Sequence, residues 1–408
     1  MVVGASLAGL RAAEAMRQAG FDGDITLVGR EPHPPYNRPP LTKAALAEGP
    51  DLSGLTLPCA PDLDARWMLG VSATGLDLGN RDVLLATGEA LPYDGLVVAT
   101  GAHARRLDTP AAPTVHHVRT FDDAVRLHRA LARPSQRVLV VGAGLLGSEI
   151  ASTALGLGHR VTLVEASEGP MLGAFGPQLS AYCADLHREQ GVDLRTSTAL
   201  LSLSPVSDRD RAAVAVLADA STGERRTVRA DVVVAALGAT PATAWLRDTD
   251  LDADRGVRTD DSLTALDRAG RPVQGVVAVG DVATVPQPLL GGAECRVEHW
   301  VTAAGHARVA AATLLGLQPP TPPTLPAFST HQHGHQIRAL GLPGAGDTTT
   351  VVAGSPADHH FVAVRTLGDR VVGVVAVNDA PGLLRRRSLL EAEPTRPSPR
   401  DHLETSDD

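Results

Sequence analysis

The chain holds one lysine, Lys43, against 36 arginines. Arg stands wherever a guanidinium serves, so a lone surviving ammonium marks a place that needs a compact point charge. Lys43 is the first candidate for chemistry. A second signal is a repeated pattern. Met1-Val-Val-Gly4-Ala-Ser6-Leu7-Ala8-Gly9 runs from apolar residues into a glycine-bounded turn and a helical pattern, and Glu31 follows the next apolar strand, Asp24–Val28. Arg137-Val-Leu-Val-Val-Gly142-Ala-Gly144-Leu145-Leu146-Gly147 repeats the device, with Glu165 just past the strand Arg160–Val164. The first glycine permits a tight turn, and small neighbours let backbone approach a pyrophosphate. The last glycine lets the helix pack on its strand, and the acid accepts from a ribose diol. The pyrophosphate itself rests on unsatisfied N–H groups at the helix N-terminus. One such turn is weak evidence. Strand, glycines, helix, strand and acid in order, twice, point to two dinucleotide sites.

Further elements must position these turns. Gly95–Ala99 reads as a buried strand ending in Thr100-Gly101, and Asp231–Leu237 is its counterpart, ending at Gly238. Gly275–Val279 is a return strand ending in Gly280-Asp281. The second nucleotide unit is thus inserted into the first. Five prolines between Pro319 and Pro326 read as a stiff linker. Beyond it, Ile337–Leu340, Thr348–Ala353, Phe361–Thr366 and Arg370–Val377 alternate as antiparallel strands. The expected class is α/β, with two Rossmann-like dinucleotide-binding domains and a C-terminal α+β domain. The expected boundaries are 1–108 with 242–318, then 109–241, then 319–390. The acidic, proline-containing stretch 391–408 is expected to be a mobile tail. Only Val2 and Val3 precede Gly4, short for a strand, so the natural chain is expected to begin upstream.

Two facing dinucleotide sites suggest a tightly held flavin and a diffusible nicotinamide. The first unit owns the Gly280-Asp281 return and the Arg38–Lys43 loop, so it is assigned FAD. The second is plainer and is assigned the nicotinamide. A carboxylate at Glu165 bonds a ribose 2′-OH and repels a 2′-phosphate, which predicts NADH over NADPH.

Composition excludes much else. The 408 residues carry a formal charge of −9 and are 43% hydrophobic. That is ample for several cores and argues against a broad nucleic-acid surface. Apolar runs are too short to span a membrane, and no leader is visible at the first residues, so a cytoplasmic location is expected. Cys59, Cys183 and Cys295 lie far apart, which excludes a dithiol of near neighbours and suggests small buried side chains.

Tyr36-Asn-Arg38-Pro-Pro-Leu-Thr-Lys43, the Gly142–Glu149 turn, Gly280-Asp281-Val-Ala and Arg296-Val297-Glu-His-Trp300 together resemble the oxygenase-coupled ferredoxin reductases. The resemblance runs from Val2 to about Val377. It implies a glutathione-reductase-like pair of nucleotide domains with a C-terminal interface domain. It also implies a hydride passed from NADH to FAD, then single electrons to a 2Fe-2S ferredoxin serving a cytochrome P450 or a dioxygenase. Carried over by position, it puts Arg38 on FAD and Lys43 near the flavin N5–O4 edge. Glu149 lies beside the flavin–nicotinamide stack and pairs with the lysine. Asp281 bonds the ribityl chain, and Val297 and Trp300 lie by the isoalloxazine. An ammonium there would stabilise the negative charge of reduced flavin.

The sequence departs from this family at Phe328-Ser-Thr-His331-Gln332-His333-Gly334, where Phe-Trp-Ser-Asp-Gln-Tyr-Gly is usual. His331, His333 and His335 alternate, so one strand would put them on one face. A docking patch for an acidic ferredoxin is expected among Arg296, Arg308, Arg365 and Arg385–Arg387. A monomer or weak homodimer is expected. Two other readings stay open: an NADH-sensing flavoprotein that acts through partner binding, and a reductase of rubredoxin, nitrite or ascorbate-radical type.

Overall fold

The computed structural model describes residues 1–107, 115–206, 212–320 and 325–391. The apolar segments before each glycine turn become central parallel strands, since only a strand covered on both faces can be so uniformly hydrophobic. Val2–Val3 lies between Thr26–Gly29 and Leu96–Val98, parallel to both. That six-stranded sheet is completed by Arg66–Leu69 on one side and by Pro272–Ala278 and Thr264–Leu266 on the other. The Met1 ammonium donates to the Gly95 carbonyl at 2.9 Å. The helix Leu7–Gln18 packs against Trp300–Leu314 through buried alanines, among them Ala8, Ala12, Ala307 and Ala311.

The second glycine turn sits in a five-stranded parallel sheet. Arg137–Val141 is flanked by Arg160–Val164 and Val232–Ala235, with Asp193–Arg195 and Val115–His116 at the edges. All its strands fall between the two stretches of chain that build the first sheet. Two small antiparallel sheets, within 73–92 and 198–230, were not expected from the sequence. Most of their residues are half-buried or exposed, and small, polar and charged side chains weaken the apolar alternation.

The C-terminal sheet is antiparallel, in the order Ala327–Gln332, His335–Gly341, Arg370–Val377, His360–Leu367, Thr348–Ser355. Four of these are the expected strands. The first was read only as a divergent motif, because Ser, Thr and His mask its alternation. The three alternating histidines do not share a strand face. His333 sits in the tight turn between the first two strands, at φ 50°, with Gly334 beside it at φ 80°. The expected tail, 391–408, lies outside the described residues except for Glu391, and so does part of the proline linker, 321–324.

Both glycine turns meet the same steric demand. Gly4 has φ 119° and Gly142 φ 101°, where L side chains are strained. A Cβ on Gly9 would stand 1.9 Å from the Gly4 carbonyl, and one on Gly147 1.9 Å from the Gly142 carbonyl. Gly147→Ala is therefore expected to lower unfolding free energy by about 2 kcal/mol or more. Gly156→Ala, in the same helix with nothing within 4 Å, is expected to be neutral or to stabilise by up to ~1 kcal/mol. Urea titration of the two variants checks this; equal losses would refute it.

Candidate active site

Lys43 begins the helix Ala44–Glu48, just after the short turn Pro39–Thr42. Its Nζ lies 2.7 Å from Glu149 Oε2 and also donates to the Pro39 carbonyl at 3.0 Å. Thr42 Oγ1 donates to the same Glu149 oxygen at 2.5 Å, and the His331 N–H reaches Glu149 Oε1 at 3.4 Å. Glu149 is only 2% exposed, so its oxygens rely on these donors in place of water. The pair is braced from behind, where Thr153 Oγ1 donates to the Thr42 carbonyl at 2.8 Å.

A cavity of about 1130 Å³ opens beside this pair. It runs from the first glycine turn, along Arg38–Lys43, to the start of the helix Leu145–Gly156. Of the expected site residues, Gly4, Ser6, Leu7, Ala8, Glu31, Arg38, Lys43, Thr100, Gly101, Leu145, Leu146, Glu149, Asp281 and Trp300 line it. Gly9, Gly280 and Val297 do not. Val297 is 3% exposed, packed in the core, and Gly280 turns its N–H to His306 Nδ1 at 3.3 Å. Gly142, Gly144, Gly147, Glu165 and Gly238 lie around the second glycine turn, away from this wall. There the Glu165 carboxylate accepts from the Ala143 N–H at 2.7 Å and the Ser167 N–H at 2.9 Å.

The first turn is flanked by paired charges. Arg38 reaches Glu31 at 2.6 Å and the Arg119 carbonyl at 2.6 Å, and it touches Ser6 Oγ at 3.3 Å. Tyr36 donates to Glu31 at 2.5 Å; burial pushes its phenol well above the ordinary range, and Glu31 adds to that. Arg119 meets Asp281 at 2.5 Å. Sequence reasoning missed Arg119 and Thr42. Arg119 precedes a Thr120/Asp123 capping box, which signals a helix start; nothing local points to Asp281. His299 and Phe328 also line the cavity, with ring centroids 4.7 Å apart. His299 Nδ1 is buried without a hydrogen-bond partner among the described residues.

The proposed docking arginines separate sharply. Arg365 is 1% exposed and donates to the Pro343 and Gly346 carbonyls and Thr349 Oγ1. It is an interior strut, because carbonyls of a neighbouring turn solvate it in place of water, and it cannot dock a partner. Arg296 is held by Glu298 at 2.6 Å and the Asp281 carbonyl at 2.9 Å. Arg308, Arg385 and Arg387 are exposed, with Arg387 paired to Glu391 at 3.0 Å, whereas Arg386 is half-buried and donates to the Gly382 and Val352 carbonyls. Among the described residues no cluster of three or more His, Cys, Asp or Glu could hold a metal. Cys183 is buried as expected, but Cys59 is exposed. No described helix is long and apolar enough to cross a membrane.

Residues 1–307 match the family model described as pyridine nucleotide-disulphide oxidoreductase, and 328–407 match the one described as reductase C-terminal. The chain belongs to the pyridine nucleotide-disulphide oxidoreductases. Rhodocoxin reductase of Rhodococcus erythropolis is 35% identical over 96% of this chain and 89% of its own. The ferredoxin–NAD(+) reductase subunit of a Pseudomonas putida benzene 1,2-dioxygenase system is 32% identical over 96% and 92%. The fold matches the crystal structure of a covalent putidaredoxin reductase–putidaredoxin complex, with TM-score 0.87, 30% identity, and 96% and 93% of the two chains covered.

The cofactors of this oxidoreductase are FAD and NAD(H). The cavity fits such a group. The first three N–H groups of the Leu7–Gln18 helix have no intrahelical acceptor, and its Ser6 hydroxyl makes no capping bond. A Cβ on Gly4 would meet the Ala99 carbonyl at 2.1 Å, so only a bare backbone can form this part of the cradle.

Burial pushes His299, His306 and His333 down to about 4, and His187 to about 3, from an ordinary 6.5. Between those values the unfolded chain binds more protons than the folded one. Stability is therefore full above about pH 6.5 and falls as pH drops toward 4. Urea midpoints measured from pH 7.5 to 4.5 should decline steadily; a flat series would contradict these buried neutral rings.

Proposed function

We propose that the chain is an NADH-dependent ferredoxin reductase, supplying a 2Fe-2S ferredoxin that serves a cytochrome P450 or a dioxygenase. The observation that carries this is the single cavity joining the first glycine turn to the N-terminal end of the Leu145–Gly156 helix, with the Lys43–Glu149 pair between them. Bound FAD supplies hydride acceptance from NADH and release of electrons one at a time. The residues do the rest. Arg38 and the bare N–H groups after Ser6 would hold a pyrophosphate, and Asp281 offers an acceptor at mid-cavity. Lys43 holds a fixed positive charge that Glu149 keeps in place. Trp300 forms an apolar wall where a planar ring can lie. Of the expected docking arginines, Arg308 and Arg385 are the exposed ones left for an acidic partner, since Arg387 is paired with Glu391. We further read 1–108 with 242–318 as the FAD part, 109–241 as the NADH part and 319–390 as the partner-facing part. The sheet membership supports this division. We place the protein in the cytoplasm as a monomer or weak homodimer.

Stopped-flow mixing with NADH and NADPH tests the reading. NADH should reduce the flavin at least ~10-fold more efficiently, and Glu165→Arg should erode that ratio. Lys43→Ala should slow flavin reduction by ~10²-fold while FAD stays bound, and Lys43→Arg should not restore it. A flavin reduced equally fast in wild type and Lys43→Ala would remove the assigned role. Cytochrome reduction through ferredoxin should fall steeply with salt, whereas direct ferricyanide reduction should not. Equal salt slopes would exclude a charge-steered dock.

A further inference from the structure

The strand Ala327–Gln332 lies at one edge of the C-terminal sheet and, among the described residues, pairs only with His335–Gly341. Its free edge runs along the Leu145–Gly156 helix. Backbone N–H groups two residues apart leave a strand on the same edge, and helix residues three apart share a face. The two periods meet here. The His331 N–H reaches Glu149 Oε1 at 3.4 Å, and the His333 N–H reaches Ser152 Oγ at 2.7 Å. At the hairpin tip the His333 ring holds a second helix, Pro177–Glu189, with its Nε2 2.9 Å from His187 Nδ1. His187 is fully buried. The tip is thus fastened to two helices, neither belonging to its own sheet.

We propose that Ser152 and His333 are positioning residues for Glu149, an inference that rests on the role of Glu149 proposed above. Neither lines the cavity. The bond from the His333 backbone N–H to Ser152 and the grip of the His333 ring on His187 together set how far the strand edge sits along the helix, and so whether His331 can solvate Glu149 Oε1. Glu149 Oε2 is already taken by Lys43 and Thr42. Without that donor Oε1 of this buried carboxylate is left unsatisfied, and its head group no longer keeps its place beside Lys43. The charge beside the flavin therefore depends on a hairpin turn outside the cavity. In this chain that turn carries His333 where the resembled family usually has Tyr.

The test is the flavin midpoint potential of the holoenzyme, read by spectroelectrochemical titration in a double-variant design. Ser152→Ala and His333→Ala should each move the potential upward, in the direction set by Glu149→Ala. In the Glu149→Ala background, His333→Ala should add no further shift. His333→Gln, which keeps a polar group toward His187, should return the potential toward wild type. A merely structural role predicts the opposite pattern, with lowered stability and an unmoved potential. That result would overturn the proposal, as would a His333→Ala shift undiminished in the Glu149→Ala background. An unmoved potential in Glu149→Ala itself would strike the underlying reading of Glu149, and this inference with it.

Discussion

A single carboxylate, Glu149, sets the terms for the rest of the molecule. It is 2% exposed, and an unpaired charge at that depth would be far too costly to keep. Its three donors come from two places: Lys43 and Thr42 from the loop after the first nucleotide strand pair, and the His331 N–H from the C-terminal sheet. The helix that carries Glu149 belongs to the second glycine turn. One ionised side chain therefore ties all three parts of the chain together at the point where two carriers would meet. The pair also explains why lysine survives here. The Nζ is a compact donor bonded both to Glu149 and to Pro39, a geometry that a planar guanidinium would not reproduce.

The opposite end of the cavity follows a different rule. There two pairs of charges on the wall are matched with each other, Arg38 with Glu31 and Arg119 with Asp281. Paired groups of this kind are held in place by each other, so their hydrogen-bonding edges are oriented before anything binds. The glycine turn beside them works through lack of a side chain, because a Cβ on Gly4 would stand 2.1 Å from the Ala99 carbonyl oxygen. The same steric logic recurs at Gly142 and Gly147, so the two nucleotide units share a physical design as well as a pattern of letters.

Arginine is abundant in this chain, and abundance alone is a poor guide to a binding face. Arg365 lies in a strand with its head group solvated by carbonyls, and Arg296 is neutralised by Glu298. Arg387 is exposed but paired with Glu391 at 3.0 Å, whereas Arg308 and Arg385 remain in water. A partner dock can be built only from the last kind, since a buried or paired cation offers no field to an approaching protein.

Much of this architecture was legible in the chain before folding. Apolar runs ending in glycine announced both parallel sheets, because a strand covered on two faces must be continuously hydrophobic. Alternation announced four of the five C-terminal strands. The rarity of lysine and the motif around it singled out Lys43. Local pattern could not reach contacts between residues far apart in sequence. Arg119 with Asp281, Thr42 with Glu149, and the burial of Arg365 are decided by how sheets and helices pack, and no periodicity encodes that. The alternating histidines make the same point. Residue order put them on one strand face, but a left-handed residue at His333 turned the chain into a hairpin. Residue types and their periods thus determined the elements and the kind of chemistry. The tertiary packing alone decided which charges are buried together, because burial is a property of neighbours and not of sequence position.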